Sequence, residues 1–557
     1  MRSGTSGGRA PAPFLFALLP LTAVLFAFAL PYGTALAAGL GSGATGYSAL
    51  RNPALLRLVS FTVWQAGLSA LLALALGLPG AWFIGSGRLR PSSPAALCLR
   101  SLTGIPFAMP PILVVLAFVL FFGNSGWANR ALAAAGGAEG PLRILYRPSA
   151  IILAHGFYNF PLVIRLAGDG IAQARKAYAP AAASLGASPF MAAVTALFPL
   201  VLPSIVSAAL LVFLYSFTSF AVALVLGGGP GATTLAVEIY RYARVSLDFH
   251  NAGALALMET LVAALVFVLY LFFEGRTGAA LELRNRHFDE RPGPGTFIAL
   301  GVYTILLGVL VFGPLLSVPL ESFLYQPSRA APVQLSLRWW RSLGDRVVPA
   351  LARTALLASI SATLACLFAA LAAAAVQNLQ QASPAGKSPL AVLVRSCAMA
   401  PLFSSSIVLG FGWLALYGRD HSRGLPAAAI LHAIAALPFA FNSISRGLES
   451  IPRNTANAAA VFGADPLRRI LTVDLPLTLG RLRSAWGFSA VISMGELNAV
   501  MMLGMEDYET LPLLIYRAVG SYRYGTACAA GTVLILACAA ALLLSDAGSR
   551  KGATGGA

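Results

Sequence analysis

The residues most able to act on a solute are few: two carboxylates set in apolar stretches, Glu259 and Glu496, and two histidines, His155 and His432. A charged group at mid-bilayer costs roughly 2.5 to 3.5 kcal/mol even on lenient scales, so such residues usually face a bundle interior or a water path. Hydrogen bonding between helices is the alternative role for the glutamates, and shared packing for the histidines. Nothing around them suggests covalent chemistry. Ala385-Gly386-Lys387-Ser388 ends like a phosphate-binding loop, but the position five before Gly386, where that loop needs glycine, is Gln381. The Gly-x-Ser-x-Gly match from Gly4 to Gly8 has no strand before it. No histidine pair has metalloprotease spacing. Cys98, Cys366, Cys397, Cys528 and Cys538 show no metal-type spacing either and read as small buried hydrophobes. The expectation is a chain that is not an enzyme and holds no metal or cofactor of its own.

The elements that carry these residues are built for lipid. Of 557 residues, 58% are hydrophobic and only 10% charged, with a mean hydropathy of +0.78, which excludes an ordinary soluble domain. A spanning helix needs roughly 20 apolar residues, and runs such as Phe14 to Leu36, Ile151 to Ala167, Phe297 to Leu316 and Ala527 to Leu544 bring the expected total to about twelve. The expected fold class is all-α, a polytopic membrane protein. A formal charge of +18 raises nucleic acid as a partner, but the basic residues are scattered through short inter-helix loops and form no patch. The lipid bilayer is the expected partner, and nucleic acid is not. A modest excess of Lys and Arg in alternate loops supports a cytoplasmic amino terminus. The first apolar run, after Arg2 and Arg9, is read as an uncleaved helix and not as a signal peptide.

The chain also repeats itself. Ala181 to Pro189 (AAASLGASP) and Ala458 to Pro466 (AAAVFGADP) match at an offset of 277, which also pairs His155 with His432, Pro161 with Pro438 and Pro199 with Pro476. Thr234-Leu235 and Ile239-Tyr240-Arg241 match Thr510-Leu511 and Ile515-Tyr516-Arg517 at 276, and Ser69-Ala70 matches Ser361-Ala362 at 292. The differences fall in loops, where insertions are tolerated. Two halves of about six spans each would cross the membrane in the same direction, as parallel repeats able to enclose a central path. The charged, Pro/Gly-rich stretch from Glu274 to Gly295 reads as a cytoplasmic linker, which divides the chain into halves 1–294 and 295–557.

Each repeated segment, near 177–199 and near 454–476, reads as a short helix, a tight turn and a second helix. Gly186 and Gly463 permit a positive φ or a close approach by another chain, and Pro199 and Pro476 start or break the helix that follows. With Arg453, Arg468, Arg469 and Arg481 nearby, the two elbows would present paired knobs to a soluble partner; tight helix packing in lipid is the other role open to such small residues. Gly227, Gly228, Gly229 and Pro230 are expected outside the membrane, as an external gate or as a flexible loop. The second half has Gly504 there, followed by Glu506, Asp507 and Glu509, which reads equally as a solvated docking face.

The elbow pattern resembles the coupling loop of ABC importer permeases: Glu-Ala-Ala, three residues, Gly, nine residues, Ile, one residue, Leu, Pro. The Gly-to-Pro spacing agrees in both halves, whereas the family's Glu is Pro180 and Asn457 here, and the residue before the closing Pro is Phe198 or Leu475. SFTVWQAGLSALLALALG from Ser60, LAHGFYNFPLVIRL from Leu153, LGGGPGATT from Leu226 and LPLLIYRAVGSYR from Leu511 resemble the fused thiamine permeases. The fused ferric-iron permeases share the Gly-rich segment and the Glu-Ile-Tyr run at Glu238.

The resemblance implies the permease subunit of a bacterial inner-membrane importer, with ATP bound and hydrolysed on a homodimeric cytoplasmic ABC ATPase. That ATPase would dock at Ala181, Ala182, Gly186, Pro189, Pro199, Ala458, Ala459, Gly463, Pro466 and Pro476. An extracytoplasmic substrate-binding protein would deliver the solute, which is thiamine or its phosphates, with ferric iron as the alternative. The translocation path would draw on Glu496, Glu259, His155, Asn159, Tyr215 and His432. A carboxylate there could attract the cationic ring of thiamine, and an aromatic such as Tyr215 or Tyr158 could cradle it. Asn159, Arg165 and Asp169 occur only in the first copy, where the second has residues such as Ala436 and Asn442. An ion-coupled secondary carrier is the third reading; it would need no ATPase and would usually need a titratable relay.

Overall fold

A helix pairs its own backbone groups without help from water, which leaves apolar runs in lipid little choice of structure. The computed structural model describes residues 12–40, 53–86, 99, 109–136, 142–186, 188, 191, 195, 197–227, 229–277, 294–327, 331–382, 388–422, 424–505 and 507–553. Among these the only strands are Leu324–Tyr325 and Gln334–Leu335, paired antiparallel with Leu324 opposite Leu335. Ten helices are long and apolar enough to cross a membrane, or eleven if Pro389–Leu402 and Ser406–Gly418, bent by 100°, form one span. The helix Leu475–Gly495 has 21 residues but carries Arg481 and Arg483, and it lacks the same apolarity. The protein is therefore a polytopic all-α membrane protein, with ten or eleven apolar spans among the described residues. Prolines mark several helix starts, as at Pro53, Pro111, Pro148 and Pro389, where the missing amide would have had no intrahelical partner anyway.

The described chain forms two compact units, each discontinuous in sequence: Leu36–Ala350 with Glu509–Leu534, and Met1–Ala35 with Leu351–Tyr508 and Ile535–Ala557. In the first of these, Pro53–Gly85 lies along Pro148–Ser184, and Phe198–Phe217 packs on both. A Cβ at Gly77 would stand 2.8 Å from the Phe160 carbonyl oxygen, and one at Gly85 2.6 Å from that of Gly168. Small residues thus bring the two backbones together where lipid supplies no hydrophobic drive. Pro294–Glu321 packs on Pro111–Phe122, and the Tyr303 hydroxyl donates to the Leu76 carbonyl at 2.7 Å. Near one end of this unit, Glu509 accepts from Arg346 at 2.6 Å and from Arg517 at 3.1 Å. The acidic run is therefore at least partly committed to ion pairs.

In the other unit, Leu425–Glu449 packs on Leu475–Gly495, and Ser406–Ser422 on Asn498–Leu503. The first apolar helix joins them: Ala12–Val24 packs on Pro389–Met399, and the π-turn Leu25–Ala29 on Leu425–Glu449. Pro31 has no amide to offer the Ala27 carbonyl; that carbonyl accepts instead from Trp413 Nε1 at 2.9 Å. The approach is close because residue 412 is glycine, where a Cβ would stand 1.9 Å from the Pro31 carbonyl oxygen. Cys366, Cys528 and Cys538 are buried and Cys397 half-buried, all as free thiols, while Cys98 lies outside the described residues.

Gly412→Ala is expected to lower the melting temperature of the purified protein clearly, since overpacking typically costs about 1–3 kcal/mol and backbone has little room to give. Size-exclusion chromatography after graded heating would read it, and an unchanged midpoint would contradict the close approach. A second expectation concerns acid. Burial raises the Glu509 carboxyl, but Arg346 and Arg517 outweigh it and hold the group below its ordinary value. The stability it contributes is present above the unfolded-state value of about 4.3 and is lost as pH falls through the lower folded value. Glu509→Gln should flatten that acid-side decline in melting temperature; an identical decline would refute the linkage.

Candidate functional site

The first elbow follows Pro148–Ser184, whose last turn contains Ala181 and Ala182, and the second follows Arg453–Val461, which contains Ala458 and Ala459. The backbone turns at Gly186 with φ +75° and at Gly463 with φ +77°, in the left-handed region that closes many helices on glycine. In the second elbow the Ala464 amide reaches the Ala459 carbonyl at 3.0 Å, the six-to-one bond of a Schellman cap. A Cβ at either glycine would meet nothing within 4 Å. What stands at each turn is apolar: Leu185 is 87% exposed and Phe462 89%, at positions related by the same offset of 277. Pro199 and Pro476 are the second residues of Phe198–Phe217 and Leu475–Gly495, and Pro466 opens Pro466–Arg469. Pro189 lies outside the described residues. The second copy breaks between Glu449 and Arg453 where the first runs on, and Pro452 accounts for the break.

Arg469, which the sequence marks only as a flanking charge, ties the second elbow to a membrane helix. Its Nε lies 3.1 Å from Asp474 Oδ2, while Nη2 donates to Asn378 Oδ1 at 2.9 Å and Nη1 to Gln381 Oε1 at 3.0 Å. Asn378 and Gln381 end the helix Val347–Ala382. The Asp474 side chain is 1% exposed and that of Arg469 12%, so breaking this pair would leave a buried charge uncompensated. At the same offset the first copy has Ala192 and Leu197. The sequence signal was an acid and a base five residues apart with no equivalents in the other copy.

The intramembrane candidates fall into polar clusters, one in each unit. His155 Nδ1 lies 3.2 Å from Gln65 Oε1, Gln65 Nε2 donates to the Ser216 carbonyl at 3.0 Å, and Asn159 Nδ2 donates to Ser216 Oγ at 3.4 Å. All four residues are buried, and His155 Nε2 and Asn159 Oδ1 have no partner among the described residues. His432 Nδ1 stands 2.8 Å from Ser493 Oγ, with Nε2 again unpartnered there. Gln65, Ser216 and Ser493 were not singled out in the sequence. Ser216 and Ser493 lie 277 apart, so the repeat offset would have found them, but Gln65 becomes visible only through packing.

Glu496 ends Leu475–Gly495 as its cap, and its Oε1 accepts from the amides of Asn498 at 3.0 Å and Ala499 at 3.4 Å and from Ser406 Oγ at 3.4 Å. Every described bond falls on Oε1. Asn498 Nδ2 in turn donates to Ser406 Oγ at 2.8 Å. Glu259 is buried at 2% exposure within Phe249–Thr277. Tyr215 is half-buried within electrostatic reach of Tyr158 and Arg165. Arg165 and Asp169 are exposed along Pro148–Ser184. In the glycine segment, Gly227 caps Ala221–Leu226, Gly229 has φ +126°, and Pro230 opens a single 3-10 turn. The stretch then docks on Pro53–Gly85 through the Leu235 amide, which donates to the buried Thr62 hydroxyl at 3.2 Å. Gly228 lies outside the described residues.

Residues 77–315 match the family described as "Binding-protein-dependent transport system inner membrane component". The thiamine transport system permease protein ThiP of Brucella abortus (strain 2308) is 29% identical over 545 residues, 95% of each chain. Its namesake in Escherichia coli (strain K12) is 26% identical over 504 residues, 86% of each chain. The ferric transport system permease protein FbpB of Actinobacillus pleuropneumoniae is 24% identical over 506 residues, 88% of this chain and 71% of that one. The match to that inner membrane component thus covers residues 77–315, and the chain is a multi-pass protein of the bacterial inner membrane.

Proposed function

We propose that the chain is the transmembrane subunit of an ATP-binding-cassette importer, and that the elbows at Gly186 and Gly463 receive a homodimeric cytoplasmic ATPase on which ATP is bound and hydrolysed. The observation that carries this reading is the doubled elbow: two left-handed glycines, each preceded by an apolar side chain almost fully exposed. Apolar surface in water favours being covered, and a matched pair suits a partner that is itself twofold. Ala181, Ala182, Pro189 and Pro199 in one copy, and Ala458, Ala459, Pro466 and Pro476 in the other, frame these contacts. The chain is read as two permease halves, 1–294 and 295–557, served by an extracytoplasmic substrate-binding protein.

Thiamine or a thiamine phosphate is the proposed solute, because the relatives matched over most of the chain are named for thiamine transport. The ferric relative favours ferric iron as the second reading. In the proposed path, Glu496 offers a carboxylate oxygen beyond its capping bonds to a cationic ring, Tyr215 and Tyr158 offer aromatic faces, and His155, Asn159, His432 and Glu259 line the helices. The exposure of Arg165 and Asp169 within a span supports a water-filled path beside them. Gly227, Gly228, Gly229 and Pro230 form the proposed external gate.

Vesicles containing the chain with its ATPase and binding protein should take up labelled thiamine only when ATP is supplied. Gly186→Trp combined with Gly463→Trp should abolish that uptake while the protein stays inserted and folded. Normal uptake by the double variant would sink the elbow assignment, uptake of iron in place of thiamine would move the substrate, and uptake driven by an ion gradient alone would overturn the mechanism. Glu496→Gln should raise the KM for thiamine about tenfold, or ~1.4 kcal/mol, with ATP hydrolysis intact. An unchanged KM would leave Glu496 its capping role alone.

A further inference from the structure

A cavity of about 660 Å³ opens at the end of Pro148–Ser184 remote from Gly186. That helix has 37 residues, about 55 Å at 1.5 Å per residue, more than the roughly 40–45 Å of a whole bilayer. Cavity and first elbow therefore lie on opposite membrane faces. Described residues between 119 and 130 and between 143 and 147 wall the cavity, together with Glu321, Gln326, Tyr522 and Tyr524. Asn129, buried at 1% exposure, ties these two stretches together: it donates to the Gly123 and Leu142 carbonyls at 2.9 and 3.1 Å and accepts from the Leu142 amide at 3.1 Å.

The walls are rich in donors. The one carboxylate among the described lining residues, Glu321, is already taken, since its Oε1 accepts from Arg130 and from Trp127 Nε1, each at 2.6 Å. Arg143 and Arg147 are exposed and make no ion pair among the described residues. Tyr146 stands between them in sequence and lies within electrostatic reach of Tyr524, whose ring centroid is 6.2 Å from that of Tyr522. Two of these tyrosines hold left-handed backbones, Tyr146 at φ +60° and Tyr522 at φ +57°. Bulky residues rarely adopt that conformation and keep it where the surroundings over-determine it. Two such positions meeting at one cavity mark a built wall.

We infer that this cavity is an anion site, taking a phosphate or carboxylate group through Arg143 and Arg147, with tyrosine hydroxyls as further donors. Its volume falls within the roughly 300–1,000 Å³ of small-molecule sites. A cationic solute would be repelled there, so the cavity is distinct from a path that binds a cation at Glu496. Its placement on the outer membrane face rests on the elbow reading above, whereas its anion chemistry does not.

The test is protection from an arginine-selective reagent. The full chain in maltoside micelles, which carry no phosphate, is treated with phenylglyoxal, and mass spectrometry follows Arg143 and Arg147 against Arg57, which is exposed and outside the cavity. Millimolar inorganic phosphate or acetate should slow modification of Arg143 and Arg147 about fivefold, as a site filled well above its dissociation constant would, with Arg57 unchanged. Protection in phosphatidylglycerol nanodiscs without free phosphate would make a lipid headgroup the source and keep the anion site. Equal protection by chloride at the same ionic strength, or equal slowing at Arg57, would reduce the effect to screening and overturn the proposal. Shielding only by an added protein would make the surface a docking face and overturn it too. Labelling by an impermeant reagent in inside-out but not in right-side-out vesicles would refute the elbow orientation while the anion site stood.

Discussion

Lipid offers no hydrogen bonds, and most of this protein follows from that lack. Pro31 frees a carbonyl in a spanning segment, and Trp413 must come from another helix to meet it, which it can do because position 412 has no Cβ. The same demand gathers Gln65, His155, Asn159 and Ser216 into one buried cluster and joins His432 to Ser493. Glycines such as Gly77 and Gly85 set how near two helices come. A few polar side chains then fix how each helix is rotated about its axis, because a wrong rotation would strand them in hydrocarbon.

Where the chain leaves lipid, the rule reverses. Water can pair stray backbone groups, so turns, strained tyrosines and charged side chains collect at the ends of the spans. Glu509 sits between Arg346 and Arg517, and Glu321 between Arg130 and Trp127. The first joins the turn at Arg346 to Leu511–Gly520, and the second joins Trp127–Ala134 to the end of Pro294–Glu321. The exposed Leu185 and Phe462 stand out against this background, since each places a large apolar surface where the neighbouring loops place charge.

The apolar runs and the elbows were legible in the sequence for different reasons. Runs of spanning length declare themselves because a bilayer has a fixed thickness, and Gly186 and Gly463 show as turns because their residue type and their common offset agree with the positive φ at both. Leu475–Gly495 was harder, since Arg481 and Arg483 dilute its apolarity. The 100° bend between Pro389–Leu402 and Ser406–Gly418 had a local cue in Pro401 that a count of spans passes over. Least legible were the partnerships between distant segments. Gln65 reaches Ser216 across 151 positions, and the first apolar helix joins a unit made mostly of residues 351–508; nothing local in the sequence announces either.

The Arg469–Asp474 pair, with its reach to Asn378 and Gln381, belongs to one elbow only. A permease assembled from two copies of one short chain would have to carry such a bond twice or do without it, because every substitution would appear in both elbows. A single chain that carries both elbows is free of that obligation. Each elbow can then acquire its own stiffness, and among the described residues only the second is braced by a buried ion pair, which reaches the helix Val347–Ala382 through Arg469.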